Sequence, residues 1–196
     1  MSDTRLHGSA ERRTATGAAA ALLGMTLLLL VSTTASIADA PLAGERFQPL
    51  ARLIGTWQGA TVKPDGSAPG VVEKSARYVL GGQFMEIETH IAFPPEMATT
   101  FVDVRHEFMF VSYDASKDRF VARSFFTEGF VIEEAVVVRG NGIVFESRVI
   151  ENAPEGMRTR TTLSWNQQDE LEQLVEIEMP GIGFKTYQTM TLRRVQ

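Results

Sequence analysis

The chain has 196 residues, of which 19 are basic and 24 acidic, giving a net charge of −5, and it contains no cysteine. The lack of cysteine excludes disulfides, thiolate metal sites and attachment of a lipid to a thiol. The mild acidity argues against nucleic acid or an anionic membrane as a partner.

The first forty residues differ in kind from the rest. Arg5, Arg12 and Arg13 precede an uncharged run over 14–37, whose apolar heart is 17–31, and small residues continue to Ala40. That is the order of a secretory signal peptide, and the heart is short for a membrane span of roughly 20 apolar residues. Cleavage after Ala38, with Ser36 two positions earlier, avoids placing Pro41 directly past the cut, as a cut after Ala40 would. The expectation is a signal peptide over 1–38 and a protein exported to the periplasm or beyond, with an uncleaved N-terminal anchor as the alternative. Residues 39–196 then form one domain, long enough to bury roughly 70 per cent of its unfolded surface. Its 16 basic and 22 acidic residues give a net charge of −6.

Phe47, Leu50, Leu53 and Ile54 fall at helical spacing, with Pro49 near the start and Gly55 as a stop. A helix this short must dock to persist, and its apolar side is expected to cover one open end of the strand-rich remainder of the chain. From Thr56 the period changes to two, and turn residues recur every eight to twelve positions. Strands are predicted over 56–63, 71–80, 83–93, 104–113, 119–127, 130–139, 143–151, 157–165, 170–179 and 184–195. The connection between the third and fourth, 94–103, carries Met97 and Phe101 and is read as a lid over a barrel mouth. Gly140-Asn141-Gly142 marks a tight hairpin.

Ten meandering strands without a helix long enough to cover a sheet are best arranged by closure, which removes sticky edges. The fold class is therefore all-β: a single antiparallel up-and-down barrel of about ten strands behind a short N-terminal helix. A barrel of this size can enclose a small ligand.

The short helix, the Gly55-Thr56-Trp57-Gln58-Gly59 strand start, the meander and the terminal Arg193-Arg194 pair together resemble the calycin superfamily of lipocalins and fatty-acid-binding proteins. Leu53 to Gly59, Tyr78 to Phe84, Ser112-Tyr113-Asp114 with Arg119-Phe120-Val121, and the final strand look more closely like an uncharacterised bacterial family of calycin-like barrels, a domain of unknown function. The lipocalin likeness implies that Trp57 is covered by Arg193 or Arg194, a cation–π contact of roughly 0.5–2 kcal/mol. The fatty-acid-binding likeness implies an inward arginine for a ligand's carboxylate, with Arg123 and Arg148 the candidates and Tyr187 a second donor. Related haem-handling barrels use a histidine near the C-terminus, and this chain has none after His106.

Aromatic and methionine side chains are plentiful, and Phe108, Met109 and Phe110 are expected to line a greasy pocket. Glu88 and His90 share a strand face, and His106 adjoins Glu107, which makes them candidates for an acid–base or metal pair. The same residues also read as the solvated face of an amphipathic strand, and nothing has zinc-site spacing. Glu172, Glu176 and Glu178 read as an outer acidic row, with Arg158 and Arg160 on the preceding strand placed to offset it. No nucleophile elbow or phosphate-binding glycine loop is present.

The reading that results is an exported, monomeric or weakly dimeric barrel. It binds a small apolar or amphipathic molecule, such as a lipid or pigment, without cofactor or metal and without stable membrane insertion after signal cleavage. Two alternatives stand beside it: an isomerase, cyclase or hydrolase on the same scaffold using His90 or His106 with a nearby glutamate, and a haem-binding barrel.

Overall fold

Alternating stretches separated by turn residues fold into ten strands in the computed structural model, which describes residues 45–94 and 103–195. They are β1 (Gly55–Val62), β2 (Val71–Val79), β3 (Phe84–Phe93), β4 (Asp103–Asp114), β5 (Arg119–Phe126), β6 (Val131–Arg139), β7 (Gly142–Glu151), β8 (Arg158–Trp165), β9 (Leu171–Met179) and β10 (Gly183–Arg194). Each pairs antiparallel with its sequence neighbours, and β1 pairs with β10 to close the barrel. The proposed signal segment, 1–38, and residues 95–102 of the connection 94–103, read as a lid, lie outside the described residues.

The N-terminal helix is a 3-10 helix, Glu45–Leu53, with Pro49 inside it. Proline has no N–H to give to an α-helical ladder, and at three residues per turn Phe47, Leu50 and Leu53 fall in one line. All three are fully buried. Phe47 packs against the Phe120 and Tyr78 rings at 5.5 and 6.0 Å between centroids. The helix thus stoppers one end of the barrel.

Trp57 lies directly inside that stopper, with no exposed surface. Its indole N–H donates to the Leu53 carbonyl at 2.9 Å, so the polar edge of the ring is paired and its apolar body is buried. The Arg194 guanidinium covers the ring at 4.1 Å and donates to the carbonyls of Ile54 and Arg52. Of the two terminal arginines, Arg194 is therefore the one on Trp57. Arg193 alternates to the outer wall, where it pairs with Glu170 at 2.6 Å.

Beside the stopper, Leu171, Leu192, Ile143, Val111 and Met85 point into the interior and are almost completely buried. Across the outer wall, Arg158 bonds Glu178 at 3.0 Å and Glu146 at 2.5 Å, and Arg160 bonds Glu176 at 2.8 Å. The acidic row of β9 is offset from the neighbouring strand, at about 0–1 kcal/mol per exposed pair. Two irregularities interrupt the alternation: a register shift at Glu133/Glu134, opposite which Arg148 is the extra residue of β7, and one between Thr186 and Gln188 that leaves Tyr187 unpaired on β10.

Candidate functional site: a cavity in the open half of the barrel

The stoppered half of the barrel is full, but the other half is not. A cavity of about 210 Å³ occupies it, lined by apolar side chains such as Ile87, Ile91, Met109, Ile132, Phe145 and Met190, interrupted by polar ones. Cross-strand register explains which residues meet there. Lys74 on β2 faces Thr89 on β3, and Thr89 in turn faces Glu107 on β4. Ala122 on β5 faces Glu134 on β6, which faces Ser147 on β7.

Lys74 is only 5 % exposed and Glu134 only 4 %. The Lys74 ammonium donates to Thr89 Oγ1 at 2.7 Å, and Ser124 Oγ donates to Glu134 Oε2 at 3.2 Å. Burial pulls the Lys74 ammonium below the usual lysine range, against the opposing pull of the Glu107 and Glu134 charges. Burial, reinforced by the Glu107 charge, pushes Glu134 up to about 8, with the Ser124 hydrogen bond and Lys74 opposing. At neutral pH the Glu134 carboxyl is therefore mostly protonated.

Two further polar atoms are less well provided for. Thr159 Oγ1 and the amide oxygen of Gln173 are buried without a hydrogen-bond partner among the described residues, and both residues border the cavity. Such atoms normally find a partner, whether protein, water or ligand. A third unpartnered atom, Trp165 Nε1, belongs to a residue outside the cavity lining.

The mouth is framed by Arg105 and Tyr187. Arg105 Nη1 donates to the tyrosine hydroxyl at 3.0 Å, its Nε lies 3.5 Å from Glu128, and the guanidinium sits 5.1 Å from the Phe93 ring centroid.

Of the residues expected to bind a ligand, Met109 borders the cavity and Tyr187 stands at its rim. Phe108 and Phe110 do not: they alternate to the outer wall, where their rings pack edge to face at 5.0 Å, half-buried. Arg123 is also outside, exposed and paired with Glu151 at 2.8 Å, and Arg148 is exposed at the β7 irregularity. Among the described residues, no arginine of β5 or β7 borders the cavity. Among the described residues that border the cavity, the buried cation is Lys74, which stands between Val72 and Ala76 at alternating positions. That pattern was readable as a lone lysine on an apolar face. Glu134, flanked by Ile132 and Val136, carried the same signal.

His90 and His106 lie on the outer wall with Glu88, although His106 also borders the rim of the cavity.

No family model and no curated protein sequence matches the chain. Among solved structures, the crystal structure of Rv2717c from M. tuberculosis is similar, with a TM-score of 0.54 and 17 % identity over 78 % of this chain and 98 % of that one. The likeness extends to the barrel fold.

Proposed function

We propose that this barrel binds one compact, uncharged amphipathic molecule inside its open half. The observation that carries the reading is the pair of buried, unpartnered atoms, Thr159 Oγ1 and the Gln173 amide oxygen, facing an apolar cavity. The amide oxygen accepts only, so the ligand brings an N–H or O–H donor. Burial already disfavours the charged forms of Lys74 and Glu134 here, so a charged ligand would bury an uncompensated charge. The volume is below the roughly 300–1,000 Å³ of ordinary ligand pockets, which favours a molecule smaller than a pigment. A long acyl chain would have to trail through the mouth past Arg105 and Tyr187.

The Gly-x-Trp strand start and its arginine cover support a place for this barrel among the calycin-like carriers. The charge and hydropathy order of residues 1–38 supports delivery outside the cytoplasm, and amino-terminal sequencing of the exported protein is expected to begin at Asp39.

Native mass spectrometry of protein purified from its own compartment tests the binding reading. One bound organic species per chain is expected, and the double variant Thr159→Val with Gln173→Leu should lose it while melting no lower than the ligand-free parent, because replacing unpaired polar atoms by apolar ones removes a burial cost. Protein that carries only water, or a variant that retains the species, would refute the reading.

A further inference from the structure

Three side chains converge on the outer wall, one of them, His106, next to the rim of the cavity. Glu88 and His90 are two positions apart on β3 and so share a face, and His106 on β4 is the register partner of His90. The two imidazoles stack at 4.0 Å between centroids with 20° between planes. Both present Nε2 to the same Glu88 oxygen, at 3.1 Å from His90 and 2.8 Å from His106. One ligand atom from each of the three residues lies within 4.8 Å of the others.

The sheet ladder fixes this triangle. Positions i and i+2 on one strand and a cross-strand partner on the next are held by backbone hydrogen bonds, so the donors need little reorganisation to meet an ion. Side-chain exposures of 31 % for Glu88, 35 % for His106 and 46 % for His90 leave the outward side open to solvent. Phe108 presents an edge to the His106 ring at 6.4 Å and shields one flank. Glu73, the β2 register partner of His90, adds a negative charge nearby, held by Gln58 at 3.2 Å.

We propose that Glu88, His90 and His106 form a binding site for a divalent transition-metal ion of the zinc class, with two imidazole nitrogens and one carboxylate oxygen as protein ligands and water completing the shell. Two nitrogens and one oxygen suit zinc and its neighbours and disfavour magnesium and calcium, which take oxygen. Three protein ligands with an open position is the ligand count of catalytic rather than structural zinc sites.

The test uses the full chain without a polyhistidine tag, titrated calorimetrically with zinc chloride alone, with cobalt(II) absorption as a second readout of the coordination geometry. One ion per chain is expected. His106→Ala and His90→Ala should each weaken binding by about tenfold or more, while His7→Ala binds as the parent does. Far-ultraviolet circular dichroism in the presence of a chelator should be the same for all four proteins, because the site is on the outer wall. No saturable zinc binding, parent-like binding by either histidine variant, or loss of binding in His7→Ala would each overturn the site.

Discussion

Trp57 joins three parts of the chain: it donates to Leu53 of the helix, belongs to β1, and lies under Arg194 of β10. Removing the ring leaves a void under the stopper that rigid strands cannot collapse into. Trp57→Ala is expected to cost about 3–5 kcal/mol in urea unfolding. The two adjacent arginines separate cleanly in the same measurement. Arg194→Ala loses a cation–π contact and uncovers two carbonyls, for about 2 kcal/mol, whereas Arg193→Ala breaks one exposed ion pair and should cost no more than about 1 kcal/mol. Equal losses for the two would mean that the Trp57 cover contributes nothing. That an arginine would sit on Trp57 was implied by the lipocalin resemblance that the Gly-x-Trp start and the terminal pair carry. Which arginine was not, because adjacent residues in a strand face opposite ways and only the β1–β10 register, Trp57 opposite Arg194, decides between them.

At the scale of strands, the seam between β1 and β10 is the most demanding. Gly59 stands opposite Leu192, and a Cβ built there would lie 2.0 Å from the Thr191 carbonyl oxygen and 2.9 Å from Leu192 Cδ2. Backbone cannot yield as a side chain tip can, so Gly59→Ala is expected to destabilise by about 3 kcal/mol or more, read as a lower urea midpoint. Strand positions and turns were legible because turn chemistry is local: Gly140-Asn141-Gly142 and Pro180-Gly181 announce themselves. Facing was less so. In β4 one face reads Arg105, Glu107, Met109 and the other His106, Phe108, Phe110, and apolarity alone assigns the phenylalanines to the interior. The barrel does the reverse, because its half-empty interior hosts Glu107 while the outer wall pairs the two rings with each other. Beyond the register shifts, counting by twos also loses its reference, which is why Arg148 and Tyr187 could not be assigned a side from sequence.

At the scale of the whole molecule, the buried carboxyl makes global stability depend on pH. Glu134 holds its proton up to about 8 in the folded state but releases it near the ordinary glutamate value of about 4.5 when unfolded. Between those values the folded state binds more protons, so stability falls as pH rises, by up to about 1.4 kcal/mol per pH unit. Lys74, lowered by burial, acts in the opposite sense at higher pH: folding is penalised wherever the unfolded chain holds the lysine proton and the folded one does not, and this penalty fades as pH approaches the ordinary lysine value. Glu134→Gln should flatten the decline between pH 5 and pH 8 in urea unfolding. A variant with the parent's slope would show that the proton is held elsewhere.

The β1–β10 seam also sets an order of events in time. Every other strand pairs with the one just before it and can do so as the chain emerges, but β1 must wait for β10, the last strand of the sequence. Until then β1 shows a free edge of N–H and C=O groups, the helix has no closed rim to stopper, and Trp57 lacks its Arg194 cover. A contact spanning nearly the whole domain is slow to form. The barrel consequently stays unclosed for as long as the chain is being made. The cost of that arrangement is a late, exposed sheet that has to be kept from neighbouring copies until residues 183–194 arrive.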